Sequence, residues 1–402
     1  MTVRIEADLL IPGRGEPIEN GTVILEGTTI AYAGSTNGAP PTADADVVEV
    51  PVILPGLWDS HIHFVGLMSA DIHDLVRWSV PELAVRAAAD AAATLNGGVT
   101  GVREVGGFGI DFAGAINDGT TKGPHIYGAG SILSPTGGHA DGHSYDLDFI
   151  ESSAQWFGEL CDGVPGCLKA VRKQLRKNAK VIKICASGGV MSEIDHPIHQ
   201  QFSDEELKAI VEEARRAERF VAAHTHGLPG IKAAVRAGCQ TIEHGSYLDE
   251  ETAELMAEHG TIYVPTRFVV DHLLGLEDSL PRYAYEKGVM VADHHAQSMK
   301  IAVAAGVTIA MGTDIFFPGL YGMNSIEIRL LQDAGMTALE AIEAATANGP
   351  LTLGPQAPPS GQLREGYDAD VIAIDFDPLE DNTGWGDPDR VTHIWKSGVR
   401  EK

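Results

Sequence analysis

Residues 52–64 read VILPGLWDSHIHF, and this stretch decides the fold. An apolar run ends in Pro55-Gly56, and a strand-like segment follows whose last residues are His61 and His63. Because alternate side chains of a strand point to the same face, these two imidazoles can reach one cation. An H-x-H triplet alone is weak evidence among 16 histidines, since a structural or exposed pair is commoner. Its position at the end of a strand makes it informative.

The central part of the chain repeats this strand pattern. Short apolar runs predict strands at residues 57–63, 99–105, 125–128, 181–185, 221–225, 241–244, 262–265 and 308–311. Helical spacing predicts helices at residues 81–95, 204–219, 249–258 and 337–347. Eight strand units predict an α/β fold, a closed (β/α)8 TIM-like barrel over residues 55–354, with its active site at the carboxyl ends of the strands. The stretch 130–166 fits neither a strand nor a long helix, so we expect a lid or binding loop that faces substrate.

Both ends of the chain have a different pattern of apolar and polar residues from the central part. Residues 1–54 alternate apolar and polar positions between Gly and Pro turns, which is typical of a small antiparallel β structure. The same pattern returns from Gly361. We therefore expect residues 1–54 and 355–402 to form one small β-sandwich that flanks the barrel.

Composition excludes several classes of protein. The chain has 402 residues, 44% of them hydrophobic and 21% charged, as in an ordinary globular enzyme. Its 29 basic and 56 acidic residues give a net charge of -27, which would repel nucleic acid. No secretory signal and no window of ~18 apolar residues is present, so we expect a cytoplasmic protein without a membrane partner. The four cysteines form no C-x-x-C pair and are predicted to be reduced thiols.

A lysine interrupts the apolar strand predicted at residues 181–185. Burying the ammonium group of Lys183 is costly unless it is paired or neutralised. A lysine that reaches water or a carboxylate from a strand end is the simpler interpretation. The alternative is a carbamate formed with carbon dioxide, an anionic group whose two oxygens can bridge two cations.

Three further polar residues end predicted strands. His224 in VAAHTHG and His244 in TIEHGSY end consecutive strands, and spacing leaves His226 open as a ligand because it shares the side of His224. Asp314 in IAMGTDIFF ends the eighth strand, where it can bind a metal and accept a proton from water, although a helix N-cap would also explain it. With His61, His63 and Lys183, these residues predict a site for two cations roughly 3.5–4 Å apart.

The pattern resembles the amidohydrolase superfamily, in particular its binuclear members with a carboxylated lysine on the fourth strand. Residues 162–192, 201–227 and 237–251 are most similar to the imidazolonepropionase-related branch. That branch contains Xaa-Pro dipeptidases, carboxypeptidases for basic residues and ochratoxin-hydrolysing amidases. The resemblance extends over nearly the whole chain.

The resemblance implies roles for the six residues. His61 and His63 would hold the more buried metal, His224 and His244 the other, the Lys183 carbamate would bridge both, and Asp314 would be ligand and proton shuttle. Two divalent ions, zinc by the same resemblance, would activate a bridging hydroxide that attacks an amide carbonyl. The implied substrate is a small-molecule amide with a free carboxylate beside the scissile bond: an N-acyl amino acid, a dipeptide or an ochratoxin-type amide.

Substrate contacts are predicted at three positions. His139 lies in the glycine-flanked segment SPTGGHADGH, after the third strand. Arg267 and Tyr247 follow the seventh and sixth strands and are candidates for binding the carboxylate, although a structural role is the simpler interpretation for both. Arg103-Glu104, which replace the Arg-Asp usual in this branch, and the extra histidines His196 and His199 have open roles.

Other functions fit parts of the pattern. The same site could open a cyclic amide or lactone. A mononuclear deaminase of the same superfamily would keep the histidines without needing Lys183. A non-catalytic barrel would have lost ligands, whereas all six positions are filled here. We also expect a homo-oligomer.

Overall fold

The computed structural model describes residues 2–43, 45–153 and 155–402. The strands are β1 (Thr2–Leu10), β2 (Ile18–Glu26), β3 (Thr29–Ser35), β4 (Asp46–Pro55), β5 (Leu57–Ile62), β6 (Val99–Glu104), β7 (His125–Gly128), β8 (Ile132–Ser134), β9 (Gly158–Leu160), β10 (Val181–Cys185), β11 (Phe220–Thr225), β12 (Thr241–His244), β13 (Ile262–Val264), β14 (Val371–Ile374), β15 (Val391–Lys396) and β16 (Val399–Arg400).

The helices surround the central strands. They are α1 (Asp74–Arg77), α2 (Val80–Asn96), α3 (Gly109–Asn117), α4 (Leu147–Ser152), α5 (Gly163–Arg176), α6 (Asp204–Arg216), α7 (Leu228–Ala237), α8 (Glu250–His259), α9 (Arg267–Leu274), α10 (Arg282–Ala304), α11 (Ile326–Asp333) and α12 (Ala338–Ala344). Among the described residues, no helix combines the length and the apolar character required to span a bilayer.

The two ends of the chain share one seven-stranded sheet, in the order β16-β15-β14-β4-β1-β2-β3. Apolar side chains from both ends, such as Ile5, Val23 and Trp395, pack in one cluster on it. The expected antiparallel pattern is wrong for one pair, because β1 and β4 run parallel. Because β2 pairs antiparallel with both β1 and β3, β3 already runs in the direction of β1, and β4 then enters on the other side of β1 in that same direction.

The central strands form two parallel sheets, which confirms the α/β class. One has the order β13-β12-β11-β10-β8-β9, and the other has the order β5-β6-β7. In the larger sheet Cys185 pairs with His224, and Thr225 pairs with His244. The carboxyl ends of these strands are therefore level, which places their polar residues on one edge of the sheet.

The predicted strand at residues 308–311 is not a continuous strand in the structure. Its backbone is divided between neighbours: Tyr263 N–H donates to Thr308 O at 2.9 Å, while Ser60 N–H donates to Met311 O at 2.8 Å. Met311 N–H donates outside the sheets, to Ala344 O at 2.8 Å. Isolated bridges, one at Ile309 and one beyond the segment at Ile315, link this part of the chain to β13 and β5. An apolar run alone could not reveal this division.

The stretch 130–166 is more regular than predicted. It contains β8, α4, β9 and the start of α5, and its residue 154 lies outside the described residues. The 23-residue helix α10 was also missed. Val291 and Met299 are the large apolar residues of its buried face, which otherwise consists of small or polar residues such as Gly288, His295 and Ser298, so the helical period is weakly marked in the sequence.

Candidate active site

All six predicted ligands line one cavity at the carboxyl ends of the central strands. The cavity encloses about 1260 Å³, part of it open to solvent. The ligands in its lining are His61, His63, Lys183, His224, His244 and Asp314. Its outer wall is apolar and aromatic, and includes Trp156, Phe157, Val269, Leu273 and Phe316. The structure thus brings together residues that lie up to 253 positions apart, from His61 to Asp314 (314 minus 61).

The rings of His61 and His63 are fixed through their Nδ1 atoms. His61 Nδ1 lies 2.7 Å from Glu243 Oε2, and His63 Nδ1 lies 2.7 Å from the carbonyl oxygen of Gly106. An ionised carboxylate and a carbonyl oxygen can only accept, so Nδ1 carries the proton in both rings. When neutral, each ring therefore keeps a lone pair on Nε2. This orientation by a partner on the other nitrogen is typical of histidines that bind metals.

Asp314 faces both of these lone pairs. Its Oδ1 lies 3.4 Å from His61 Nε2 and 3.1 Å from His63 Nε2. Burial alone would raise the pKa of Asp314, but His61, His63 and Lys183 lower it overall. Two imidazole lone pairs and a carboxylate repel one another unless a cation or an added proton lies among them. The donor set therefore fits a divalent metal ion.

The backbone at this edge is strained. His244, Thr266 and Asp314 have left-handed φ values of 65°, 60° and 55° although none is glycine. Such conformations cost about 1–3 kcal/mol each and concentrate at functional sites. At Asp314 the turn is held by its N–H, which donates to His61 O at 2.7 Å.

His244 joins the same group, whereas His224 does not. Atoms of His61, His244 and Asp314 lie within 4.8 Å of one another. His244 Nδ1 lies 2.8 Å from Thr266 Oγ1, which leaves Nε2 free for a metal. His224 Nε2 instead contacts Gly188 O at 3.3 Å. His226, left open by the sequence, also lines the cavity, and its ring stacks on that of His244 with centroids 5.0 Å apart.

Lys183 is buried within the strand, as its sequence context predicts. Its side chain is 2% exposed, and Nζ lies 3.4 Å from His61 Nε2. Burial lowers the pKa of Lys183, and the carboxylates of Glu243 and Asp314 partly oppose this shift. The side chain thus ends among the proposed ligands and does not extend to solvent.

The structure gives Arg103 a role that the sequence left open. Arg103 Nη2 donates to both oxygens of Glu243 at 2.8 Å, and both side chains are fully buried. Burial alone would raise the pKa of Glu243, but Arg103 and His61 hold it well below its usual range. Sequence reasoning missed Glu243, although a carboxylate inside the strand TIEH was a visible signal. Arg103 and Glu243 together keep His61 in place.

Two more buried carboxylates lie beside the site. Sequence analysis did not single out Asp59, and it left the role of Glu104 open. Asp59, two residues before His61, accepts from Thr313 Oγ1 at 2.6 Å and from Asn324 Nδ2 at 2.7 Å. Asp59 thereby links β5 to the turn before Asp314. Glu104 accepts from the backbone N–H of Gly109 at 2.7 Å, at the start of α3, and burial raises its pKa to about 7.

We expect Glu243→Ala to destabilise the protein by about 3–5 kcal/mol, because it leaves the Arg103 guanidinium buried without its carboxylate. Urea unfolding measures this loss. The double variant Arg103→Met/Glu243→Leu removes both charges and should recover part of the stability. Equal losses in the single and the double variant would contradict the ion pair as the cause.

The predicted substrate contacts have different outcomes. His139 lines the cavity, whereas Tyr247 and Arg267 lie outside its lining. Tyr247 Oη donates to Met290 O at 3.2 Å, and Arg267 donates to Ala292 O at 2.8 Å and pairs with Asp271 at 2.6 Å. Their polar atoms are used inside the protein, so their placement gives no support to carboxylate binding.

The extra histidines of the loop after β10 also lie outside the cavity lining. The rings of His196 and His199 pack together with centroids 5.0 Å apart, and His199 N–H donates to His196 O at 3.0 Å. Both contacts lie within the loop and help to shape it.

Glu327 should make stability depend on pH. It accepts from the backbone N–H groups of Arg267 and Phe268 at 2.7 Å, and burial raises its pKa from 4.5 to about 8. A raised folded-state pKa stabilises the protein at low pH, and this contribution is lost as the pH rises from 4.5 through 8. Glu327→Gln should flatten the fall in unfolding free energy over that window, measured by urea unfolding at pH 5, 6.5 and 8. The exposed substitution Glu251→Gln should keep the wild-type slope, and parallel curves for Glu327→Gln would rule out this origin.

Comparison with known proteins agrees with the site. Residues 52–400 match the amidohydrolase family. Ochratoxinase from Aspergillus niger is 45% identical over 417 aligned residues, which cover 98% of this chain and 85% of that sequence. Its crystal structure has a TM-score of 0.93 at 44% identity, covering 100% of this chain and 95% of that chain. A crystal structure of a Xaa-Pro dipeptidase with bound methionine has a TM-score of 0.91 at 30% identity and covers all of both chains. The chain therefore belongs to the amidohydrolase family and is a hydrolase.

Proposed function

We propose that the protein is a binuclear-metal hydrolase that cleaves an amide bond next to a free carboxylate. N-acyl amino acids, dipeptides and ochratoxin-type amides are the substrate classes. The observation that carries this proposal is the convergence of His61 Nε2, His63 Nε2 and Asp314 Oδ1 in an apolar cavity. Similarity to two proteins, an ochratoxinase and a Xaa-Pro dipeptidase, supports this substrate class.

The proposal includes a closed (β/α)8 barrel over residues 55–354, flanked by a β-sandwich from both termini. Three contacts that link the two parallel sheets, one directly and two through residues 308–315, support closure of the barrel. Lys180 N–H donates to Gly128 O at 2.9 Å, which brings β7 beside the start of β10. On the other side, the bridges at Ile309 and Ile315 place residues 308–315 between β13 and β5.

The residues present fit two metal ions. His61, His63 and Asp314 would hold one, and His224 and His244 would hold the other. Imidazole and carboxylate donors suit zinc. Lys183 would bridge the two as a carbamate, and its burial favours the neutral amine, which is the form that reacts with carbon dioxide. His224 would exchange its contact with Gly188 O for a metal.

Asp314 is the proton carrier of this proposal. When bound, the metals supply Lewis-acid activation of a water molecule and of the amide carbonyl. Asp314 takes a proton from the attacking water and delivers it to the amide nitrogen, as the new C–O bond forms and the C–N bond breaks. The hydrogen bond from Asp314 N–H to His61 O, at 2.7 Å, keeps this carboxylate beside the reacting groups.

The residues of the cavity wall indicate which substrates would fit. Its aromatic and aliphatic side chains favour a large apolar group on one side of the amide. Among the described residues that line it, Lys183 is the single lysine and none is arginine. The substrate carboxylate is therefore expected to bind to neutral donors such as Tyr283 or a histidine.

A substrate panel with metal analysis tests this function. Release of the amino acid from N-acyl amino acids or dipeptides, by protein that holds two metals per chain, would support it. Cleavage confined to cyclic amides or lactones would contradict it. So would one metal per chain together with ammonia release from heterocyclic amines, the result expected of a mononuclear deaminase.

A further inference from the structure

His139 lies in a tight socket at the edge of the proposed metal site. Its ring stacks on that of His224 with centroids 4.3 Å apart. A Cβ atom on Gly189 would come within 2.1 Å of His139 Cε1, so a side chain at position 189 would displace the ring. The backbone N–H of His139 donates to Gln201 Oε1 at 3.0 Å. The ring is therefore held on both sides while it lines the cavity.

A chain of hydrogen bonds determines which ring nitrogen carries the proton. Ser192 Oγ donates its hydrogen to Asp195 Oδ1. A serine hydroxyl has one hydrogen, so the 2.8 Å contact between Ser192 Oγ and His139 Nδ1 must be donated by the histidine. In the neutral ring, Nε2 then keeps a lone pair. Within the described part of the chain, that atom has no hydrogen-bond partner.

Asp195 is held as an acceptor by its other neighbours. It accepts from Gly189 N–H at 3.0 Å, from Gln201 Nε2 at 2.9 Å and from Lys287 Nζ at 3.2 Å. Lys287, on α10, also donates to the carbonyl oxygens of Ser192 and Asp195 at 2.7 and 2.6 Å. Because these groups all donate toward Asp195, the Ser192 hydroxyl has a fixed acceptor and does not turn toward His139.

We propose that Ser192 and Asp195 are positioning residues that present His139 Nε2 as an acceptor for the N–H of the scissile amide. The protein then prefers secondary amides to tertiary amides, which lack that hydrogen. The identity of the reacting bond rests on the proposed function. A tertiary amide leaves this part-buried acceptor unpaired, which corresponds to a loss of about tenfold in kcat/KM.

Benzoylglycine and benzoylsarcosine, which differ by one N-methyl group, test this preference on the metal-loaded full chain. The measured quantity is kcat/KM for benzoylglycine divided by kcat/KM for benzoylsarcosine. Comparing this ratio between variants cancels the intrinsic reactivity of the two amides and the bulk of the methyl group. Ser192→Ala and Asp195→Asn should lower the ratio by about tenfold. Ser192→Thr, which keeps the hydroxyl, should restore it. Ser279→Ala, an exposed serine outside the cavity, is the matched control and should keep the wild-type ratio.

Nitrogen-15 NMR of histidine-labelled protein gives a readout that needs no turnover. The signal that disappears in His139→Gln is assigned to His139, and at neutral pH it should show a proton on Nδ1 in the wild type. This result would stand even if neither amide were cleaved, so failure of the proposed function is distinguishable. An Nε2–H ring in the wild type, or an unchanged substrate ratio in Ser192→Ala, would overturn the proposal.

Discussion

Asp314→Asn is expected to lower kcat for amide hydrolysis by about 10³-fold or more while the fold is retained. The amide has nearly the shape of the carboxylate, but it cannot accept the proton of the attacking water or deliver one to the leaving nitrogen. We expect the metal content to stay largely intact, because the neighbouring histidines are oriented by Glu243, Gly106 and Thr266, independently of Asp314. Turnover, metal analysis and circular dichroism together measure these effects.

The control for this prediction is Asp333→Asn, an equivalent change at an exposed position at the end of α11. It should leave kcat and metal content at wild-type values. Normal turnover in Asp314→Asn would refute Asp314 as the proton carrier. Loss of both the metals and the fold would show instead that the carboxylate has mainly a structural role.

Lys183→Met is expected to lower kcat by at least about 100-fold and to lower the amount of bound metal. The free energy of unfolding should not fall. Methionine fills a similar volume, and the change removes an amine that is costly to bury, so unfolding free energy should be unchanged or higher. It also removes the nitrogen on which a bridging carbamate could form. Metal analysis and urea unfolding of the same preparation measure the two effects.

The matched control here is Lys177→Met, at the exposed end of α5, which should affect neither quantity. Addition of a short carboxylate such as formate to Lys183→Ala, which leaves space where the buried lysine side chain was, should restore part of the activity, since two oxygens would then take the place of the carbamate. Wild-type metal content and turnover in Lys183→Met would contradict the bridging role and favour a mononuclear site.

The sequence predicted the site best where a strand ended in a polar residue. His61, His63, Lys183, His224, His244 and Asp314 share one cavity because parallel strands place their carboxyl ends on the same edge. The parallel sheets and the shared terminal sheet followed from the spacing of apolar runs. These features depend on local patterns that a single sequence contains.

Other features depend on partners distant in the chain. Glu243 resembles any strand-end carboxylate until its partner Arg103, 140 residues away, is known. Tyr247 and Arg267 follow the correct strands, but their side chains turn toward the backbone of α10. The segment at 308–311 has an apolar strand pattern, yet its hydrogen bonds are divided among three neighbours. Spacing cannot specify such choices.

Titration of metal-free protein with zinc, followed by hydrolysis of an N-acyl amino acid, tests the central claim most directly. Activity should rise until two equivalents of zinc are bound per chain, with release of the free amino acid. Full activity at one equivalent, or no amide hydrolysis with two metals bound, would contradict a binuclear amide hydrolase.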